Sequence, residues 1–153
     1  MYKRQTVGVW QAENGTSITV PTSNTATALS WTTGAPFLFG TNFVTGGNSL
    51  PAGTYKFTLT SRCDQVTNAQ TAGRGYWSTA LTVGTTVYES GVDYIRYRAP
   101  HQGANSIVTV YVTTTGAATT FSATSTLQVE NAGSSANSTI PVGGTRLIIE
   151  RLS

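Results

Sequence analysis

The chain has 153 residues, a formal net charge of +3 and only 10% charged residues, while 39% of its residues are hydrophobic. Its 29 Thr, 14 Ser and 16 Gly favour strands and turns and argue against a helical bundle or an α/β nucleotide fold. The low charge, combined with 10% aromatic residues, also argues against a disordered chain.

Alternation with a period of two predicts short strands along the whole chain. It is clearest in residues 54–60, where Tyr55, Phe57 and Leu59 share one face and the residues between them are polar. Segments rich in Gly, Asn and Ser near residues 13–15, 45–48, 102–105 and 131–138 predict the breaks. The pattern predicts one all-β domain, an antiparallel β-sandwich or barrel. In chain order, the other strands are expected near residues 5–11, 17–20, 27–31, 36–40, 75–83, 85–89, 93–99, 106–114, 119–130 and 145–152.

Two of these strands, residues 106–114 and 145–152, carry large apolar residues on both faces. A strand that is apolar on both faces needs a second cover, which comes either from the same chain or from another subunit. Because a small domain without predicted helices has little to supply that cover, we expect a subunit interface. The candidate interface residues are Ile107, Tyr111, Ile148 and Leu152.

The residues that usually carry chemistry are sparse. Cys63 is the only cysteine and is expected to be a small buried or half-buried residue, and His101 is the only histidine and is expected to be exposed in a loop. The six carboxylates form no local pair or loop cluster, and Glu150, which lies near Arg146 and Arg151, suggests surface ion pairing. We therefore expect no enzymatic activity, no catalytic or metal-binding residue and no cofactor.

Two segments carry a resemblance to a known family. The turn Pro51-Ala52-Gly53 followed by Thr54-Tyr55-Lys56-Phe57 resembles the P-x-G-x-Y-x-F signature of complement-type and tumour-necrosis-factor-like globular heads. The closing segment from Gly144 to Leu152 is similar to the last strand of such heads. The resemblance implies a jelly roll of about ten strands that assembles as a homotrimer. No linker or internal repeat divides the chain, so we expect a single domain over residues 1–153. The resemblance covers its core in residues 36–153, and N-terminal strands and an arm precede this core in residues 1–35.

Similar heads in bacteriophages serve as fibre knobs and capsid decoration proteins, and the Thr-, Ser- and Gly-rich composition resembles that of a phage virion protein. No heptad or Gly-X-Y shaft precedes the matched region, which favours a decoration or cement protein that stabilises the particle surface. One alternative is the receptor-binding knob of a tail or head fibre, which would recognise a cell-surface glycan through aromatic residues. A polysaccharide-binding module or hydrolase is another. The aromatic candidates for glycan binding are Tyr76, Trp77 and Tyr88.

Two segments are candidate contacts with a partner. Tyr94, Arg96 and Arg98 alternate onto one face, and aromatic and Arg residues are enriched at interface hot spots. They suit a neighbouring subunit or an acidic capsid surface; a glycan contact, or a sheet face in which the Arg stems cover apolar surface, is the alternative. The other candidate is the basic segment Tyr2-Lys3-Arg4.

The location follows from the same features. The nine Lys and Arg residues are scattered rather than clustered, so we expect no nucleic-acid partner. The chain shows neither a signal-peptide apolar run nor a membrane-spanning one. We expect synthesis in the host cytoplasm and no membrane insertion, and the resemblance to phage heads implies location in the virion.

Overall fold

The computed structural model describes residues 7–21, 24–32, 35–36, 42–67, 74–96, 103–116, 118–129 and 137–153. Within these ranges every helix or strand element is a strand, and no helix there is long and apolar enough to cross a membrane. The strands are β1 (Gly8–Glu13), β2 (Ile18–Pro21), β3 (Thr27–Ala28), β4 (Ala35–Pro36), β5 (Ser49–Leu50), β6 (Gly53–Cys63), β7 (Gln65–Thr67), β8 (Arg74–Val83), β9 (Thr86–Glu89), β10 (Asp93–Arg96), β11 (Ala104–Thr114), β12 (Thr119–Val129), β13 (Asn137–Ile140) and β14 (Thr145–Arg151).

Two antiparallel sheets form the body of the fold. The five-stranded sheet has the order β11-β6-β14-β1-β4. The six-stranded sheet has the order β10-β8-β12-β3, with β9 also beside β8 and β5 also beside β12. A small third sheet contains β2, β13 and β7. The first two sheets pack face to face and form a β-sandwich, which is one of the two architectures that the spacing of the strands predicted.

The pairing between strands is nested along the chain. β1 pairs with β14, β3 with β12, β6 with β11, and β8 with β10. The earliest strand therefore lies beside the latest one, and within these four pairs each later strand has its partner further inside the chain. Most strand contacts consequently join residues that are far apart in sequence.

Aromatic side chains fill one part of the core. Tyr55 and Phe57 alternate inward from β6, and both are fully buried. The ring of Phe57 lies 6.1 Å from that of Phe121 on β12, in an edge-to-face arrangement that joins the two sheets. Trp10 extends this contact, with its ring 5.9 Å from that of Phe121. We call these residues, together with Phe43, which packs on Tyr55, the aromatic cluster.

A layer of buried hydroxyl groups crosses the core next to these apolar residues. Ser61 of β6 contacts Ser125 of β12 with 3.0 Å between their Oγ atoms. Thr79 of β8 bonds both to Ser125, at 3.1 Å, and to Ser106 of β11. Thr145 of β14 completes the group, with its Oγ1 atom 3.5 Å from Ser61 Oγ. All five side chains are buried, and we call them the hydroxyl layer.

The observed strands differ from the predicted ones mainly at their ends. β6 continues to Cys63, and β11 begins at Ala104 inside a segment predicted as a break. The break predicted at residues 131–138 is wrong at its end, because β13 begins at Asn137. The short strands β5 and β7 were not predicted, since two or three residues are too few for an alternating pattern to show.

Candidate functional site

The five-stranded sheet presents one face to the core and the other to its surroundings. On β11 the side chains of Ser106 and Val108 point into the core and are 5% and 3% exposed. The residues between and beyond them point away from the core, and there Ile107 is 60% and Tyr111 is 64% exposed. We call the side of this sheet that points away from the core the outer face.

The other two predicted interface residues lie on this same face. Ile148 of β14 is half-buried and lies opposite Thr58 of β6, which in turn lies opposite Thr109 of β11. Leu152 is also half-buried, and its N–H donates to the carbonyl of Thr54 at 2.7 Å, which continues the pairing past the end of β14. The structure thus brings Ile107, Tyr111, Ile148 and Leu152 onto one face.

The charged groups on the outer face are neutralised in pairs. Lys56 Nζ lies 2.5 Å from a carboxylate oxygen of Glu150 on the neighbouring strand, and the hydrogen bond to Glu150 raises the pKa of Lys56 above its ordinary value. Arg146 is bound in the same way to Glu13, at 2.6 Å. At one end of the face Arg62 lies 2.9 Å from Asp64. Every charged side chain that the structure describes on this face therefore has a partner of opposite charge.

A shallow depression lies at the Arg62 end of the outer face. Its volume is about 580 Å³, and its described lining includes Thr60, Arg62, Ile107, Arg146 and Ile148. The two Ile side chains give it apolar walls, and the two Arg side chains stand beside them in their ion pairs. A protruding apolar side chain of another molecule could enter here without meeting an unpaired charge.

The candidate partner contacts lie on the other sheet or outside the described residues. Tyr94 and Arg96 belong to β10, where their backbones lie opposite Tyr76 and Arg74 of β8. This is the six-stranded sheet, so these residues do not share a sheet with the interface candidates. Outside the described residues lie Tyr2, Lys3, Arg4, Arg98 and His101.

The structure corrects the predicted glycan-binding residues. Trp77 is fully buried, because alternation along β8 turns it into the core, and Tyr88 is packed partly against the same core. The pair Tyr76 and Trp77 cannot line a common surface cleft, since neighbouring residues of a strand point to opposite faces. The prediction that Trp77 helps to form a glycan-binding site on the surface is therefore wrong.

Reactive and metal-binding groups are few in the described part of the chain. Cys63 is fully buried, as predicted, and burial raises the pKa of its thiol above the ordinary value. Among the described residues no three His, Cys, Asp or Glu side chains come together as metal ligands.

The sequence patterns did not reveal the charge neutrality of the outer face. Glu150 pairs with Lys56 on β6, and Glu13 on β1 pairs with Arg146, so both pairs join residues distant in sequence. The nearby Arg146 and Arg151, which drew attention to Glu150, are not its ion-pair partners. Alternation predicts that Lys56 and Glu150 point away from the core on their own strands. The sequence contains no other local signal for the ion pair between them.

No protein-family model matches the chain, and no curated protein is significantly similar to it.

Proposed function

We propose that this chain is a structural protein of a bacteriophage particle, a jelly-roll homotrimer that binds the capsid surface and stabilises it. The observation that carries the proposal is the outer face, where two apolar side chains of β11 and two of β14 and its C-terminal continuation lie among charges that are already paired. Exposed apolar patches of this kind usually mark contacts with another molecule.

The nested pairing of strands supports the jelly-roll part of the proposal. A jelly roll forms when a long antiparallel hairpin folds across two sheets, so that the first strand pairs with the last and the pairs continue inward. The pairs β1–β14, β3–β12, β6–β11 and β8–β10 follow this order. They also alternate between the two sheets, since the first and third pairs belong to one sheet and the second and fourth to the other.

The energetics of the outer face favour association. Burying a large apolar side chain contributes about 1.5–3 kcal/mol, and Ile107 and Tyr111 retain more than half of their surface for such burial. The ion pairs Lys56–Glu150 and Arg146–Glu13 lower the cost of covering the sheet, because no isolated charge has to lose its water. Association entropy offsets part of this gain, so several side chains must contribute together.

The attachment to the particle would use residues away from the trimer contact. Tyr94, Arg96 and Arg98, together with Tyr2, Lys3 and Arg4, are the candidates for an acidic capsid surface. A trimer presents three copies of each contact, and such multivalency allows weak single contacts to give stable attachment.

The trimer is tested by Tyr111→Asp, which places a charge on the outer face. We expect light scattering to give three times the single-chain mass for the wild type and one chain for the variant. Ser122→Asp is the matched control, because Ser122 is exposed on the six-stranded sheet, and we expect it to remain trimeric. A wild-type particle at the 16.1 kDa of one chain at micromolar concentration would overturn the trimer.

The location on the particle needs a separate measurement. We expect the protein to sediment with intact phage particles, with a copy number per particle that is a multiple of three by quantitative mass spectrometry. Its absence from purified intact particles would overturn the virion assignment and leave the trimer measurement untouched.

A further inference from the structure

β11 is an edge strand with a long free side. It pairs with β6 on one side over its whole length, from Ala104 opposite Cys63 to Thr114 opposite Gly53. The register advances one residue at a time on both strands, so the strand contains no bulge. On its other side, the sheet order among the described strands has no neighbour for it.

Two hydrogen bonds show which residues direct their backbone groups to the free side. The N–H of Asn105 donates to the carboxylate of Asp93, at 3.0 Å, and not to β6. The N–H of its partner Arg62 donates to the carbonyl of Gly144, at 2.8 Å, on the far side of β6. In an antiparallel ladder both backbone groups of a residue point to the same side, and the side alternates along the strand.

The same parity therefore continues along β11. The N–H and C=O groups of Ile107, Thr109, Tyr111 and Thr113 point to the free side, and no described residue forms a hydrogen bond with them. The side chains of these four residues lie on the outer face and are exposed. The edge thus combines free backbone groups with uncharged side chains.

The two edges of the five-stranded sheet differ in their protection. β4 at one edge has two residues, the second of which is Pro36, and a short strand ending in proline resists pairing with another chain. β11 at the other edge has 11 residues with no charged residue and no proline. Because long unprotected edges pair readily with another strand, β11 is suited to accept one.

The free side of β11 is complementary to the free side of a second copy about Thr109. Two copies of β11 aligned antiparallel at this residue place Ile107 of each copy opposite Tyr111 of the other, and Thr109 opposite Thr109. Aromatic residues opposite β-branched ones are favourable cross-strand pairs. In such a pair, a charged residue at position 109 would lie opposite the same charge on the other copy. Pairing of β11 with itself therefore requires an uncharged residue there, and Thr109 is uncharged.

We propose that β11 pairs antiparallel with β11 of a second copy about a two-fold axis at Thr109, which joins the two five-stranded sheets into one. This contact goes beyond the trimer, because a two-fold pair joins a copy in one trimer to a copy in the next. The pairing uses backbone groups at the edge of β11, so the outer face, with Ile107, Tyr111, Ile148 and Leu152, remains for the three-fold contact. Paired trimers of this kind would form a connected layer on a particle.

The experiment uses Thr109→Cys in the full chain, since the pairing places this residue opposite itself. Under mild oxidation we expect a disulfide-linked pair on a non-reducing gel. Thr58→Cys is the matched control, because Thr58 lies opposite Thr109 on the same face but one strand away from the edge. We expect Thr109→Cys to cross-link about a hundredfold faster, since pairing gives the two thiols an effective concentration in the millimolar range.

A second variant, Thr109→Pro, removes an N–H that makes no bond to β6. At concentrations above the micromolar range, we expect light scattering to show species larger than a trimer for the wild type and only the trimer for this variant. Cross-linking of Thr109→Cys no faster than that of Thr58→Cys would overturn the pairing. If the wild type is then a trimer, the proposed function stands without the pairing; if fast cross-linking occurs in a protein that is only a dimer, the pairing stands and the trimer fails.

Discussion

The aromatic cluster and the hydroxyl layer are two regions of the same core that hold the sheets together through different forces. Phe57 and Phe121 contact each other edge to face across the sheets. The free energy gained by burying their rings depends little on the exact orientation in which the rings pack. Ser61, Thr79 and Ser125 instead form directional hydrogen bonds. A one-residue slip of β6 would turn Ser61 out of the core and leave its partners without a bond.

The two regions contribute differently to the stability of the fold and to the selection of the correct strand register. Apolar burial scales with area and tolerates rearrangement, so the aromatic cluster accounts for more of the stability. Buried hydroxyls contribute little net free energy when they are bonded, but they cost much when they are left unbonded. The hydroxyl layer therefore acts mainly against wrong registers of the strands that it joins.

The largest effect is expected from Phe57→Ala in the aromatic cluster. Removing this ring leaves a cavity between Tyr55 and Phe121, and we expect the free energy of unfolding to fall by about 3–5 kcal/mol, measured by urea denaturation. Thr58→Ala is the control, because the next residue points to the outer face, and we expect a change within about 0.5 kcal/mol. Equal losses for the two variants would contradict the role of the cluster.

A smaller effect is expected from Ser125→Ala in the hydroxyl layer. Ser61 and Thr79 would each lose a partner in a buried site, and we expect a loss of about 1–3 kcal/mol. Ser122→Ala, at an exposed position of the same strand, should change stability by less than about 0.5 kcal/mol. Replacing all five hydroxyl residues by Ala or Val should cost less than the sum of the five single changes, and an additive result would show that the hydroxyls do not act together.

The smallest effect is a pH dependence at Cys63, which follows Ser61 on the inner side of β6. Because burial raises the pKa of its thiol, the folded chain keeps the proton to a higher pH than the unfolded chain does. Its contribution to stability is complete below the pKa of the unfolded thiol and is lost as the pH rises through the folded pKa. Between about pH 8 and pH 9.5 we expect stability to fall by at most about 1.4 kcal/mol per pH unit.

Cys63→Ala serves as the comparison for this slope. The pKa values of Tyr55 and Lys56 are also raised, but these groups ordinarily titrate near pH 10 and above, so their contribution lies mostly above the window. The variant should therefore show a flatter dependence in urea denaturation series. The same slope in both proteins would assign the pH dependence to another group.

The sequence predicted the inner faces of the long strands well. Tyr55, Phe57 and Leu59 were expected on one face and are all fully buried, and Ile107 and Tyr111 were expected on the opposite face from the Val residues of their strand and are exposed there. These predictions succeed because the alternation of side chains is a local property of the extended backbone. The homotrimer, the jelly-roll topology and the location on a phage particle stay proposals.

Other features had no local signal. The ion pair between Lys56 and Glu150 depends on the register of β6 with β14, and the burial of Ser125 with Ser61 depends on how the two sheets face each other. Hydroxyl residues at inward positions of several strands were visible in the sequence, but a lone Ser in a strand equally well marks an exposed edge. The free side of β11 became recognisable only once its single neighbour was known.

By itself, the sequence determined the all-β class, the inward residues of the long strands and the breaks near residues 13–15 and 45–48, because the backbone pleat and the preferences of Gly, Pro and Asn act between near neighbours. The tertiary structure alone decided which strands are neighbours, that hydroxyls from five strands meet in the core, and that β11 lies at an edge. These outcomes depend on contacts between parts of the chain that are distant in sequence. Such contacts form only when the packing of all the strands offsets the entropy lost in closing the long loops between them.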